Sequence, residues 1–174
     1  VDDSGLQVAD IIVGFKYGGF SEDPPDGEKF ANYCGDTVYV SITSKYESDK
    51  DLESRRHEIL KELEDSTSET AKFGKTLTRK ILSDQLDTVW NFGASYDCLN
   101  FESEILYSKL WEKVFDRMKS ENLVRFEDQG DNSGCWVFPI ENDDDKIIVR
   151  SNGVATYVAK DIPYAAWKLG ILAD

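Results

Sequence analysis

Residues 1–19 read V-D-D-S-G-L-Q-V-A-D-I-I-V-G-F-K-Y-G-G. Val8, Ile11, Ile12 and Phe15 recur at i, i+3, i+4 and i+7, which is the spacing of one apolar helix face, and Gly18-Gly19 stop the pattern. A helix is therefore expected directly after Asp3-Ser4-Gly5. The acidic stretch S-E-D-P-P-D-G at 21–27 holds two prolines and reads as a surface loop. The β-branched run at 38–43 favours a strand by propensity, although Tyr39, Ile42 and Tyr46 also fall on one helical face.

Further along, Leu52, Ile59, Leu60 and Leu63 describe an amphipathic helix over 51–64 beneath a charged outer face. A second is expected from about 73 to 90, with Leu77, Ile81, Leu82, Leu86 and Val89 inward. A third, from about 104 to 119, would bury Leu106, Leu110, Trp111, Val114, Phe115 and Met118. Between these two, Tyr96 to Phe101 is a short strand candidate. After Asn122 the pattern changes to short runs at 123–127, 135–140, 146–150 and 154–158, separated by D-N-S-G, N-D-D-D and S-N-G, as in an antiparallel meander. Asn152-Gly153 suits a type I′ turn. A closing helix is expected behind Asp161 as its N-cap, with Ile162, Ala165, Ala166 and Leu169 inward and Pro163 in its first turn.

The 174 residues are enough to bury one substantial core and short for two, so one compact unit with insertions is expected. A net charge of -14 would repel a phosphate backbone and disfavours stand-alone nucleic-acid binding; the same field attracts cationic partners. Cys34, Cys98 and Cys135 are odd in number, lie far apart, and read as reduced side chains. No apolar stretch approaches the roughly 20 residues of a membrane span, and no signal sequence opens the chain, so a cytoplasmic location without a membrane partner is expected. The chain opens without Met and stops after a helical pattern lacking an evident cap, which leads to the expectation of a piece of something longer.

His57 is the sole histidine and stands beside Arg55 and Arg56 on a charged helix, which argues against a zinc site or a histidine-dependent triad. No phosphate loop of the G-x-x-x-x-G-K-[ST] type and no G-x-G-x-x-G occurs. Asp143-Asp144-Asp145 does not have the spacing of a calcium-binding EF-hand loop and reads as a solvated hairpin turn. No metal site and no catalytic residue is assigned.

Three segments carry a resemblance. D-D-S-G-L-Q-V-A-D at 2–10 resembles the segment by which arginyl-tRNA synthetases leave an early catalytic-domain strand and enter a helix. R-S-N-G-V-A-T-Y-V-A-K-D-I-P-Y at 150–164 is similar to their R-S-D-G-T-x-x-Y-x-x-x-D-I-A-Y element, with Asn152 in place of the usual aspartate. F-E-S at 101–103 resembles the short G-E-S or E-S segment that follows a strand in the same family.

The resemblance implies an α/β fold: part of the nucleotide-binding, Rossmann-like catalytic fold of class I synthetases, with two insertions. The first, at about 18–71, would be mostly helical, which speaks against a strand at 38–43; the second, at about 103–154, would join a helix to the meander. It further implies an arginine-binding role for Glu102, Tyr157 and Asp161, the last two across a strand-to-helix junction. A guanidinium is planar and always charged, and paired carboxylates accept its N–H groups in parallel. By the topology of such sheets the three residues are expected at one cleft. The whole enzyme would use arginine, tRNA, ATP and Mg2+ and form an arginyl-adenylate. The H-I-G-H and K-M-S-K-S-like phosphate-binding elements of the family do not occur in this sequence, so the chain alone is expected to be inactive, with tRNA bound mostly by other parts. The alternative is a synthetase-derived, non-catalytic protein-interaction module.

Overall fold

The structure, a computed structural model, describes residues 1–151, 153 and 155–170. The chain divides into two compact units, Val1–Tyr107 and Ser108–Asp174, and the buried apolar residues form two separate clusters, in place of the one core expected.

The first unit is helical. Helix α1 (Leu6–Tyr17) buries seven consecutive residues from Val8 to Gly14, so it is enclosed on nearly every side and is more than the one-faced helix its spacing indicates. Glycine lets its neighbours come close: a Cβ on Gly14 would lie 2.3 Å from Val38 Cγ1. After the loop that contains Pro24 and Pro25, helix α2 (Phe30–Asn32) runs through a π-helical stretch (Tyr33–Tyr39) into α3 (Val40–Lys45).

The strand that propensity favours at 38–43 does not form; the stretch is helical, as the resemblance implies, and the residues themselves supply a reason. Phe30, Cys34, Val38, Ile42 and Tyr46 are all buried at a strict four-residue spacing. A four-residue repeat overshoots each turn of an α-helix by about 40° and falls short of a wider π-helical turn, bonded i to i+5, so the π-helical stretch between α2 and α3 offsets the drift of the flanking α-helical steps. β-propensity reflects fit to a pleated, half-buried surface and yields when a helical groove offers complete burial.

Helix α4 (Lys50–Leu63) starts where the Asp49 side chain accepts a 2.9 Å hydrogen bond from the Leu52 amide, and it buries Leu52, Ile59 and Leu63 as its periodicity indicates. Helix α5 (Glu69–Asn91) begins four residues earlier than its apolar pattern, because Ser68 caps it by accepting from the Ala71 amide. The strand candidate at 96–101 forms no strand. Of that run only Phe101 is flanked by backbone pairing, with the Val1 nitrogen donating to the Asn100 carbonyl at 2.7 Å and the Glu102 amide donating to the Val1 carbonyl at 3.0 Å. That is the bond pattern of a parallel ladder one residue long, after which α6 (Glu102–Tyr107) begins.

The single helix expected over 104–119 is two helices. Lys109 takes a left-handed conformation (φ 54°) and separates α6 from α7 (Leu110–Ser120). The break separates α6, where Tyr107 donates its hydroxyl to the Leu63 carbonyl of the first unit, from α7, whose Val114 and Met118 belong to the second cluster. Leu106, expected inside, is exposed.

In the second unit β1 (Arg125–Phe126), β2 (Trp136–Phe138) and β3 (Lys146–Val149) form the antiparallel meander in the order β1-β2-β3, in register Arg125 with Val137 and Val137 with Ile147. The fourth run does not become a strand. Ala155 makes one bridge to Val149, Thr156 donates its amide and hydroxyl to the carbonyls of Ile148 and Ile147, and α8 (Tyr157–Lys168) begins at once. Val154 and Asn152 lie outside the described residues; Gly153 adopts the left-handed φ of +81° that its turn requires. Asp161 is therefore no N-cap, and Pro163 lies in the second turn, where it removes one intrahelical bond. No helix of the described residues is long and apolar enough to cross a membrane.

Candidate functional site

Glu102 is the first residue of α6 and is partly buried. Its position is set from two directions. Its own amide is bonded to Val1, and the next residue, Ser103, donates its amide to Asp3 Oδ1 at 2.8 Å and its hydroxyl to Asp3 Oδ2 at 2.6 Å. Asp3 and Ser103 are both buried, 5% and 6% exposed. Phe101 precedes them in the first unit's interior, with the Arg79 guanidinium 4.5 Å above its ring. Asp2 turns the other way and accepts from the Gly5 amide at the start of α1.

Tyr157 and Asp161 occupy positions i and i+4 of α8, within one helix, and not the two sides of a strand-to-helix junction. Asp161 is exposed to solvent. Nearby in α8 the Tyr164 and Trp167 rings stack at 6.3 Å, with the Lys168 ammonium 4.1 Å from the Tyr164 ring. Chemically, Glu102 and Asp161 are anionic acceptors suited to a cation, and Tyr157 is of a type that adds a hydroxyl and an aromatic wall. Glu102 lies in the first unit, Tyr157 and Asp161 in the second.

Two polar sites were not legible as such. Asp3, given no role by the sequence beyond the D-D-S-G segment, is a buried acceptor for a residue 100 positions away. Asp10 in α1 is fully buried, takes the Tyr46 hydroxyl at 2.6 Å, and pairs with Arg56 of α4. A signal existed for Asp10, an acid within the apolar run from Val8 to Val13; none existed for Asp3. His57 is exposed, its Nδ1 3.1 Å from the Glu53 carbonyl, and all three cysteines are free. Asp145 of the acidic turn pairs with Arg125.

A bundle of helices followed by a helix-flanked antiparallel meander is the architecture of part of a class I synthetase catalytic fold. No protein-family model matches the chain. It is 28% identical to the arginine–tRNA ligase of Thermococcus sibiricus over 98% of its own length and 29% of that protein's, and 30% identical to that of Thermus thermophilus over 99% and 28%. The solved Thermus thermophilus arginyl-tRNA synthetase superposes with a TM-score of 0.79 at 29% identity, covering 98% of this chain and 28% of that one. The Plasmodium falciparum arginyl-tRNA synthetase gives 0.67 at 18% identity, over 96% and 26%, a likeness of fold. The chain is an arginyl-tRNA synthetase homologue that spans less than a third of its relatives' length.

Proposed function

We propose that this chain is part of an enzyme that attaches arginine to its tRNA using ATP, and that it carries the side-chain part of the arginine pocket. The observation that carries the reading is the similarity to arginine–tRNA ligases along nearly the whole chain, together with the matching E-S and Y-x-x-x-D segments. Glu102 and Asp161 are the carboxylates that take the guanidinium, and Tyr157 is its hydroxyl and aromatic partner. Lysine, a point charge, cannot satisfy two carboxylate forks and leaves part of such a pocket unpaired, which is the basis of selection. Residues 18–71 and 103–154 are insertions into the catalytic fold.

ATP and Mg2+ belong to the whole enzyme, where they supply the activated phosphate and its charge neutralisation. The contribution of this chain is to bind and orient arginine so that its carboxylate meets that phosphate. tRNA is held mostly by parts beyond this sequence.

The test is arginine-dependent ATP–pyrophosphate exchange by the full-length protein. Glu102→Gln and Asp161→Asn each replace a charge-assisted bond to guanidinium by a neutral one, worth about 1.5–3 kcal/mol or roughly tenfold to 150-fold in kcat/KM for arginine. KM for ATP should stay near the wild-type value. Wild-type arginine kinetics in both variants would reduce these carboxylates to structural groups.

A further inference from the structure

We infer that Asp3 is a positioning residue for Glu102, acting through Ser103, so that the carboxylate of the opening D-D-S-G segment sets how Glu102 meets its cationic ligand. This rests on the arginine-pocket reading of Glu102 given above.

Helix α6 starts with a deficiency. The first amides of any helix lack intrahelical acceptors, and a side chain at the N-cap commonly provides one. Phe101, which precedes α6, has no acceptor to offer. Asp3 provides it from 100 residues away: Oδ1 takes the Ser103 amide at 2.8 Å and Oδ2 takes the Ser103 hydroxyl at 2.6 Å. Because both oxygens are engaged by one residue, the carboxylate cannot rotate and the first turn of α6 cannot pivot about a single bond. The negative charge also sits at the positive end of the helix dipole.

Glu102 lies between the two anchors. Its amide is bonded to the Val1 carbonyl at 3.0 Å, its C-terminal neighbour is gripped by Asp3, and its N-terminal neighbour Phe101 is buried. A plain structural cap would need one bond to one amide. Here Asn100, Glu102 and Ser103 are all tied to the segment 1–3, through Val1 and Asp3, which fixes the backbone of Glu102 on both sides. Recognition of a planar guanidinium tolerates displacements of only about 0.5 Å, so loosening this clasp should be felt in arginine use before it is felt elsewhere.

The experiment is steady-state exchange kinetics on the full-length protein carrying Asp3→Ala, Asp3→Asn, Ser103→Ala, Glu102→Gln and the double variant Asp3→Ala with Glu102→Gln. Asp3→Ala and Ser103→Ala should each lower kcat/KM for arginine by about tenfold or more, with KM for ATP changed by less than about twofold. Asp3→Asn should be milder, because its Oδ1 still accepts the amide and the serine hydroxyl can turn to accept from Nδ2. In the double variant, Asp3→Ala should cost less than about threefold beyond Glu102→Gln, since a positioning group has little left to position. Normal arginine kinetics in Asp3→Ala and Ser103→Ala beside a weakened Glu102→Gln would overturn the positioning role alone. Equal losses toward arginine and ATP, or losses that multiply fully in the double variant, would mark Asp3 as a general structural residue. Where Asp3→Ala does not fold, Asp3→Asn and Ser103→Ala carry the same comparison. Wild-type kinetics in Glu102→Gln would overturn the pocket reading, and the positioning role with it.

Discussion

The Asp10 carboxylate and the Arg56 guanidinium meet inside the helical unit, with Nη2 2.9 Å from Oδ2 and Nε 2.8 Å from Oδ1. The two partners differ in one respect. Asp10 is wholly buried, whereas a quarter of the Arg56 side chain reaches solvent. Removing the arginine leaves a charge in the core without its cation, so Arg56→Ala should cost about 3–5 kcal/mol. Asp10→Ala removes the buried charge itself and leaves an Arg56 side chain that is a quarter exposed, although its Nε and the Tyr46 hydroxyl lose their acceptor, and should cost less, about 1–3 kcal/mol. Urea denaturation of both variants reads the order directly; the reverse order would show that the pair is not limited by burial of the carboxylate.

Gly14 offers a test of the close approach between α1 and the π-helical stretch. Alanine improves intrinsic helix propensity by up to about 1 kcal/mol, but its Cβ would fall 2.3 Å from Val38 Cγ1 and 3.2 Å from Ile42 Cγ1, both on fully buried side chains. Overpacking of about 1–3 kcal/mol wins, so Gly14→Ala should be destabilising. Gly35, around which a Cβ would meet nothing within 4 Å, is the control: Gly35→Ala should be neutral or stabilising. Thermal midpoints of the two variants check this.

Cys34 should give the helical unit an alkaline weakness. Burial pushes its thiol up to about 12, with the Lys80 charge opposing and the Asp84 charge adding to the shift. With the folded value above the unfolded one, the stabilisation is complete below about pH 9 and is lost as pH rises toward about 12, by up to about 1.4 kcal/mol per pH unit. Urea midpoints between pH 8 and 11 should fall, and fall less steeply in Cys34→Ala. At pH 8 iodoacetamide should modify the exposed Cys98 and leave Cys34 intact, as read by mass spectrometry.

The 174-residue chain alone should show neither arginine-dependent pyrophosphate exchange nor tRNA charging. The phosphate-binding elements named above do not occur in it, and preorganised stabilisation of developing charge is commonly the largest part of rate enhancement. Turnover by the purified chain at a rate comparable with the full-length protein would overturn the assignment of chemistry to those elements.

What the residues determine by themselves is what depends on near neighbours. The apolar spacings of α1 and α4 and the glycine stop after Tyr17 are local properties, as are the turn residues dividing the meander, so these were legible along the chain. The motif segments at both ends carried the likeness to arginyl-tRNA synthetases for the same reason, because a motif is contiguous. Tertiary structure decided what depends on distant partners. The four-residue repeat of Phe30, Cys34, Val38, Ile42 and Tyr46 packs with α1 in one cluster, and that packing is what a local reading could not supply. The break at Lys109 separates Tyr107, bonded to Leu63 within the first unit, from Val114 and Met118 of the second cluster. Among the described residues the run ending at Phe101 has no strand neighbour beyond Val1, and Ala155 makes a single bridge before α8 begins. The apolar run around Asp10 hints that it is buried, but the partners of Asp3 and Asp10, Ser103 and Arg56, are brought to them only across the fold; a buried charge is satisfied by whichever residues close over it, and no local pattern names them.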